Sequence, residues 1–136
     1  MTKSNSRMEK PIKSFEDLEV WRTARELKSY LRELIKKFPD SERYRLVDQI
    51  IRAKRSVTAN IAEGFGRYYF QENIQFCRTA RGSLSELLDH MITSFDNLYI
   101  SEGEFLEAKS RIMDCMRLLN GYIRSLKKSK QGISDN

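Results

Sequence analysis

The side chains able to do covalent or metal chemistry are few in this sequence, and they stand apart from one another. His90 is the only histidine. It has Glu86 four residues before it, but a metal site in a helical bundle needs Glu-x-x-His pairs on facing helices, and no second pair exists. His90 is therefore expected to be structural or solvated, and no metal or other cofactor is expected. Cys77 and Cys115 lack ligand spacing and sit in apolar-rich helical stretches, which suits reduced core thiols and a cytoplasmic compartment. Gly64-Phe-Gly66 is too short to cradle a phosphate and lacks the lysine that would follow it. Serines are plentiful, yet no histidine-bearing triad can be assembled around them. The expectation is a protein that is not an enzyme.

Charge is the more informative property. The chain carries a formal +6. Residues 1–13 hold Lys3, Arg7, Lys10 and Lys13 against Glu9, and residues 124–136 hold Arg124, Lys127, Lys128 and Lys130 against Asp135, so each end carries +3. The body between is neutral but polarised: 14 basic and 10 acidic residues over 14–85, then 3 and 7 over 86–123. Basic tails attract phosphates or acidic partners in a salt-sensitive way, and equally they keep a protein soluble. Arg45, Arg52 and Arg55 fall on roughly one helical face, extended by Lys54. That face is either solvated and paired with acidic neighbours or a nucleic-acid contact, to which Lys127 and Lys128 would add. No helix-turn-helix, finger or RNP signature accompanies it. Tyr68, Tyr69 and Phe70 either stack on bases or cover one end of a core.

The elements that must position these residues are helices. A chain of 136 residues suffices for one domain with a real core, and its two prolines, Pro11 and Pro39, leave nearly everything between them free to be helical. No run approaches the roughly 20 apolar residues of a membrane span, and residues 1–10 have no apolar core of a secretory signal. Ser14-Phe-Glu-Asp17 reads as a capping box, followed by an apolar stripe of Leu18, Trp21, Ala24, Leu27, Leu31, Leu34, Ile35 and Phe38. Ser41 is expected to cap a second helix over 42–65, a third runs over 71–99, and Ser101-Glu-Gly-Glu104 starts a fourth that frays after Lys127. Helices of about 22–29 residues joined by short connections make an all-α, antiparallel, up-down-up-down four-helix bundle. Val20, Tyr30, Ile51, Leu106 and Leu118 lie off the main stripes and are available for self-association.

Within this bundle two stretches of small and polar residues stand out, Ser56-Val-Thr-Ala-Asn60-Ile-Ala-Glu63-Gly64 and Ala80-Arg81-Gly82-Ser83. A glycine inside a helix costs about 1 kcal/mol relative to alanine, so Gly82 calls for a close helix approach. The expectation is that Ala59, Ala62 and Gly64 admit the backbone at Ala80, Gly82 and Ser83. Asn60, Glu63, Arg81 and Ser83 would then satisfy one another.

Phe15-Glu-Asp-Leu-Glu-Val-Trp21, Ser56-x-x-x-Asn60-Ile-Ala-Glu-Gly64 and Ala80-Arg-Gly-Ser-Leu84-x-Glu-Leu87 resemble, in order, the four-helix-bundle proteins encoded in intervening sequences of bacterial 23S rRNA genes. The resemblance covers about residues 14–127. It implies an antiparallel four-helix bundle assembled as a ring-like homopentamer, with the basic accessory proteins of diversity-generating retroelements, which engage nucleic acid and a reverse transcriptase, as distant relatives. The family has no established activity, and RNA binding is the role the resemblance suggests. Trp21, Asn60, Glu63, Gly64, Arg81, Gly82 and Ser83 would be signature positions with a packing role. Lys54 and Arg55 depart from the pattern by replacing small residues, and Gln75 and Cys77 stand where it tends to be basic or bulkier apolar.

The chain thus divides into a disordered basic arm over 1–13, a bundle over 14–127 and a disordered basic tail over 128–136. The expected function is a cytoplasmic, non-enzymatic, homo-oligomeric RNA- or nucleic-acid-binding protein, with a protein–protein scaffold ring as the alternative. A small-molecule or metal site inside the bundle is the third possibility.

Overall fold

A computed structural model describes residues 11–135, with side chains as far as Ser129. The basic arm up to Lys10, and the side chains from Lys130 onward, lie outside the described residues. Four helices make up most of the fold: α1 Glu19–Leu34, α2 Leu46–Phe65, α3 Phe70–Asp96 and α4 Glu102–Asp135. Contacts between neighbours run in opposite directions along the chain. Gly64 meets Asn73 while Ser56 meets Ser83, and Phe95 stacks on Phe105 while Arg81 reaches Asn120. Such pairings define an antiparallel up-down-up-down bundle.

Inward positions at three- and four-residue spacing supply the core. Leu27 and Leu31 of α1, Ile50, Val57 and Ile61 of α2, Leu84, Leu87 and Met91 of α3, and Ile112 and Leu119 of α4 are fully buried. Cys77 and Cys115 lie among them as free thiols. Burial pushes their pKa values up to about 11 and about 12, so both remain protonated and unreactive.

The helix ends differ from the expectation in physical detail. Ser14 does form a capping box, with its hydroxyl accepting from Glu16 N–H and Asp17 reaching back, but around a short 3-10 turn over Phe15–Asp17. Ser41 caps nothing; it sits inside another 3-10 turn, Asp40–Glu42. The start of α2 is held instead by Glu42, which accepts from the Leu46 N–H at 3.4 Å and from the Tyr99 hydroxyl at 2.7 Å. The box at Ser101 is present: Ser101 N–H donates to Glu104 at 2.8 Å and Glu104 N–H to Ser101 Oγ at 3.1 Å. The helix it begins continues to Asp135 rather than fraying after Lys127, since no proline interrupts it. Helix lengths are 16, 20, 27 and 34 residues, more uneven than the periodicity suggested. Val20, expected on a self-association surface, belongs to the core.

The glycines require the main correction. Gly82 is exposed, and a Cβ added there meets nothing within 4 Å. The close approach is at Gly64, where an added Cβ would lie 2.6 Å from Asn73 Oδ1, 3.0 Å from Phe76 Cβ and 3.1 Å from the Asn73 carbonyl. This contact lies in α2's last turn, just before the chain turns back into α3. The polar residues pair differently too. Asn60 donates to Ser56 Oγ at 2.9 Å and Ser83 donates to the same hydroxyl at 2.8 Å, whereas Glu63 pairs with Arg67 and Arg81 donates to Asn120 at 2.9 Å. Gly64→Ala should therefore lower stability by about 1–2 kcal/mol, strain outweighing the helix-propensity gain. Gly82→Ala should raise it by up to about 1 kcal/mol. Thermal melts of the two variants check this; a destabilised Gly82→Ala would mean that its face is covered.

Candidate nucleic-acid interface

Helix α1 has three distinct flanks. Leu27, Leu31 and Leu34 face the core. Glu19, Glu26 and Glu33 recur every seven residues on a second flank. Arg25, Lys28 and Arg32, at three- and four-residue spacing, share the third. This basic flank borders α2, where the Lys28 ammonium donates to Thr58 Oγ1 at 3.3 Å. Thr58 in turn donates to the Arg55 carbonyl at 3.2 Å, and Lys54 lies one turn before it on α2.

Lys54 is the unusual member of this seam. Only 6% of the residue is exposed, and no carboxylate pairs with it among the described residues. Its ammonium still reaches water, since the described residues contain no fully buried, unsatisfied side-chain nitrogen. The stem is packed and the charge emerges at the rim. Burial, followed by the positive charges of Arg55, Lys28 and Arg32, holds the Lys54 pKa below the ordinary lysine value of 10.5. Four cations thus converge across α1 and α2, and among the described residues only Arg32 has a carboxylate in reach, Glu33 at 3.5 Å. Glu33 itself is held more closely by Lys36 at 2.9 Å. Where α1 meets α4, and reaching round to Arg25, a cleft of about 530 Å³ is lined by Arg22, Arg25, Glu26, Ser29, Tyr30 and Arg111. Its Arg111 is engaged by Glu107 at 2.8 Å and lies 4.7 Å over the Tyr30 ring.

Of the residues singled out from the sequence for nucleic-acid contact, Lys54 and Arg55 fall together in the seam. Arg52 pairs with Asp48 at 2.9 Å and is a solvated helix ion pair. Arg45 is exposed at the N-cap of α2, and Lys127 and Lys128 are exposed far along α4. Arg25, Lys28 and Arg32 were missed; their common flank on α1 was the available signal. Of the signature positions, Trp21 is half-buried with Phe15 edge-on at 5.0 Å and Arg25 at 5.8 Å over it. Asn60, Gly64 and Ser83 sit in the α2–α3 contact, Glu63 and Arg81 are bound elsewhere, and Gly82 is open. His90 is buried, with its Nε2 3.0 Å from Glu86 Oε2. No cluster of three or more metal-ligating side chains occurs among the described residues.

A four-helix bundle with a cationic seam is the class that fold and site define. The model of the 23S rRNA-intervening sequence protein family matches residues 16–121, and the chain belongs to that family. No curated protein matches it.

The seam makes a prediction about stability. Lys54→Met keeps the packed stem and removes a charge that folding places near three others. It should raise Tm by about 2–4 °C. In the wild-type protein the unfolded chain holds the Lys54 proton more tightly than the folded one. Stability should then rise with pH between the depressed folded pKa and 10.5, and this rise should be absent in Lys54→Met. Parallel pH-dependent melts check the difference.

Proposed function

We propose that this protein is a cytoplasmic, non-enzymatic, homo-oligomeric helical bundle that binds RNA or another nucleic acid through phosphate contacts at the α1–α2 seam. The observation that carries the reading is Lys54: a packed lysine without a counter-ion, surrounded by Lys28, Arg32 and Arg55. Such an arrangement destabilises the free protein and is repaired by an anion. A nucleic-acid backbone supplies closely spaced anions without demanding a particular sequence. Guanidinium groups on both helices match phosphate oxygens in geometry as well as charge. The cytoplasm is consistent with two free cysteines, and no helix among the described residues is long and apolar enough to cross a membrane.

Self-association is supported by exposed apolar side chains on α3 and α4, Ile92, Leu106 and Met113. A homopentamer is the expected state. Light scattering across a concentration series should give five chains' mass, and a monomer at every concentration would defeat the claim.

For binding, fluorescence anisotropy with a labelled RNA stem-loop and a matched DNA duplex should give affinity that falls steeply as salt rises. Lys54→Met and Arg55→Ala should each weaken it several-fold and reduce the salt slope by about one ion. Absence of binding to either probe at low salt would leave a protein–protein scaffold as the better reading.

A further inference from the structure

The turn between α2 and α3 carries three successive aromatics, and the fold treats them unequally. Phe70 packs against the core, while Tyr68 and Tyr69 stand out at 89% and 64% exposure. They do not cover the end of the bundle. They contact each other instead, edge to face, with ring centroids 4.9 Å apart and planes at 80°. An edge-to-face pair leaves at least one ring face open.

Beside them is a cleft of about 410 Å³ lined by Tyr69, Gln71, Glu72 and Gln75. Its walls are one aromatic ring, two amides and a carboxylate. This set combines a stacking surface with groups that hydrogen-bond base edges. Cations flank it. Arg78 donates to Gln75 Oε1 at 3.3 Å, and Arg67 lies 4.8 Å over the Phe76 ring while paired with Glu63. Lys127 and Lys128 come to the same end of the bundle, because Tyr122 of α4 meets Asn73 at 3.0 Å and α4 runs on past it toward the turn.

We propose that this cleft binds an unpaired nucleobase, stacked on Tyr69, which Tyr68 braces edge to face, and read at its edge by Glu72 and Gln75. The site rests on the nucleic-acid reading above and refines it: the ligand has a single-stranded or looped-out stretch, and its backbone lies among Arg67, Arg78, Lys127 and Lys128. Base–aromatic stacking discriminates bases from bare backbone, which the seam does not do.

The test compares a 12-nucleotide single-stranded RNA with an abasic ribose–phosphate strand of equal length, by anisotropy at low salt. The wild-type protein should bind the base-bearing strand about tenfold or more tightly than the abasic one. Tyr68→Ala/Tyr69→Ala should erase that ratio, Tyr69→Phe should keep it, and Lys54→Met should weaken both probes without changing it. A ratio unaltered in the double variant, with binding intact, would overturn the stacking site and leave the seam reading standing. No binding of either probe by the wild-type protein would defeat both. Because both tyrosines are exposed, the double variant should keep the wild-type Tm and oligomeric mass. Dissociation of the oligomer would identify the pair as a subunit contact and overturn the proposal.

Discussion

The contact on which the rest of the bundle depends is the one between Gly64 and Asn73. An α2 residue without a side chain lets Asn73 of α3 come so near that an added Cβ would lie 2.6 Å from its Oδ1 and 3.1 Å from its carbonyl oxygen. Asn73 is buried there and is held from other directions, donating to the Tyr122 hydroxyl at 3.0 Å and accepting weakly from the Cys77 thiol at 3.6 Å. One side chain thereby ties α2, α3 and α4 together. The register it imposes on α2 and α3 places Ser56 against Ser83 about two turns away. It also directs the short turn after Gly66, and so decides that Phe70 goes inward while Tyr68 and Tyr69 go out.

With α2 fixed in this way, its other flank meets α1. Leu46, Ile50, Ala53, Val57 and Ile61 take the inward positions, and Lys54 and Thr58 fall at the edge of the core. A methionine or leucine at 54 would fill the same volume without placing an ammonium among three other cations. The bundle folds in spite of this charge.

Helix number, order and core were legible because the three- and four-residue periodicity is continuous and the turn signals at Pro39 and Ser101 interrupt it. Packing detail was less so. Periodicity places Gly82 on a helix but does not say which flank is covered, and Gly64 near a helix end reads as a stop signal before it reads as a contact. Ser41 looked like a cap because its residue type favours that role, but the α1–α2 connection spends it inside a 3-10 turn and uses the longer reach of Glu42. The basic site was half legible. Lys54 and Arg55 stood out by type, yet their partners Lys28 and Arg32 are distant in sequence and become neighbours only when α1 and α2 pack. Arg52, which looked equivalent, differs because Asp48 lies one turn away and neutralises it.

The treatment of polar groups elsewhere explains why the seam is informative. Asn60, Ser56 and Ser83 satisfy one another across α2 and α3. Ser94 returns its hydroxyl to the His90 carbonyl at 2.7 Å, and His90 has Glu86. Lys37 pairs with Glu104 across the connection after α1, Arg67 with Glu63 and Arg111 with Glu107. In each of these places the polar or charged group is closed by a neighbour. Against that pattern, a lysine whose stem is buried and whose nearest charges are all positive is not a random surface feature. On the reading proposed above its counter-ion is supplied by a partner, and the spread of cations over two helices makes a polyanion a better fit than a single small anion.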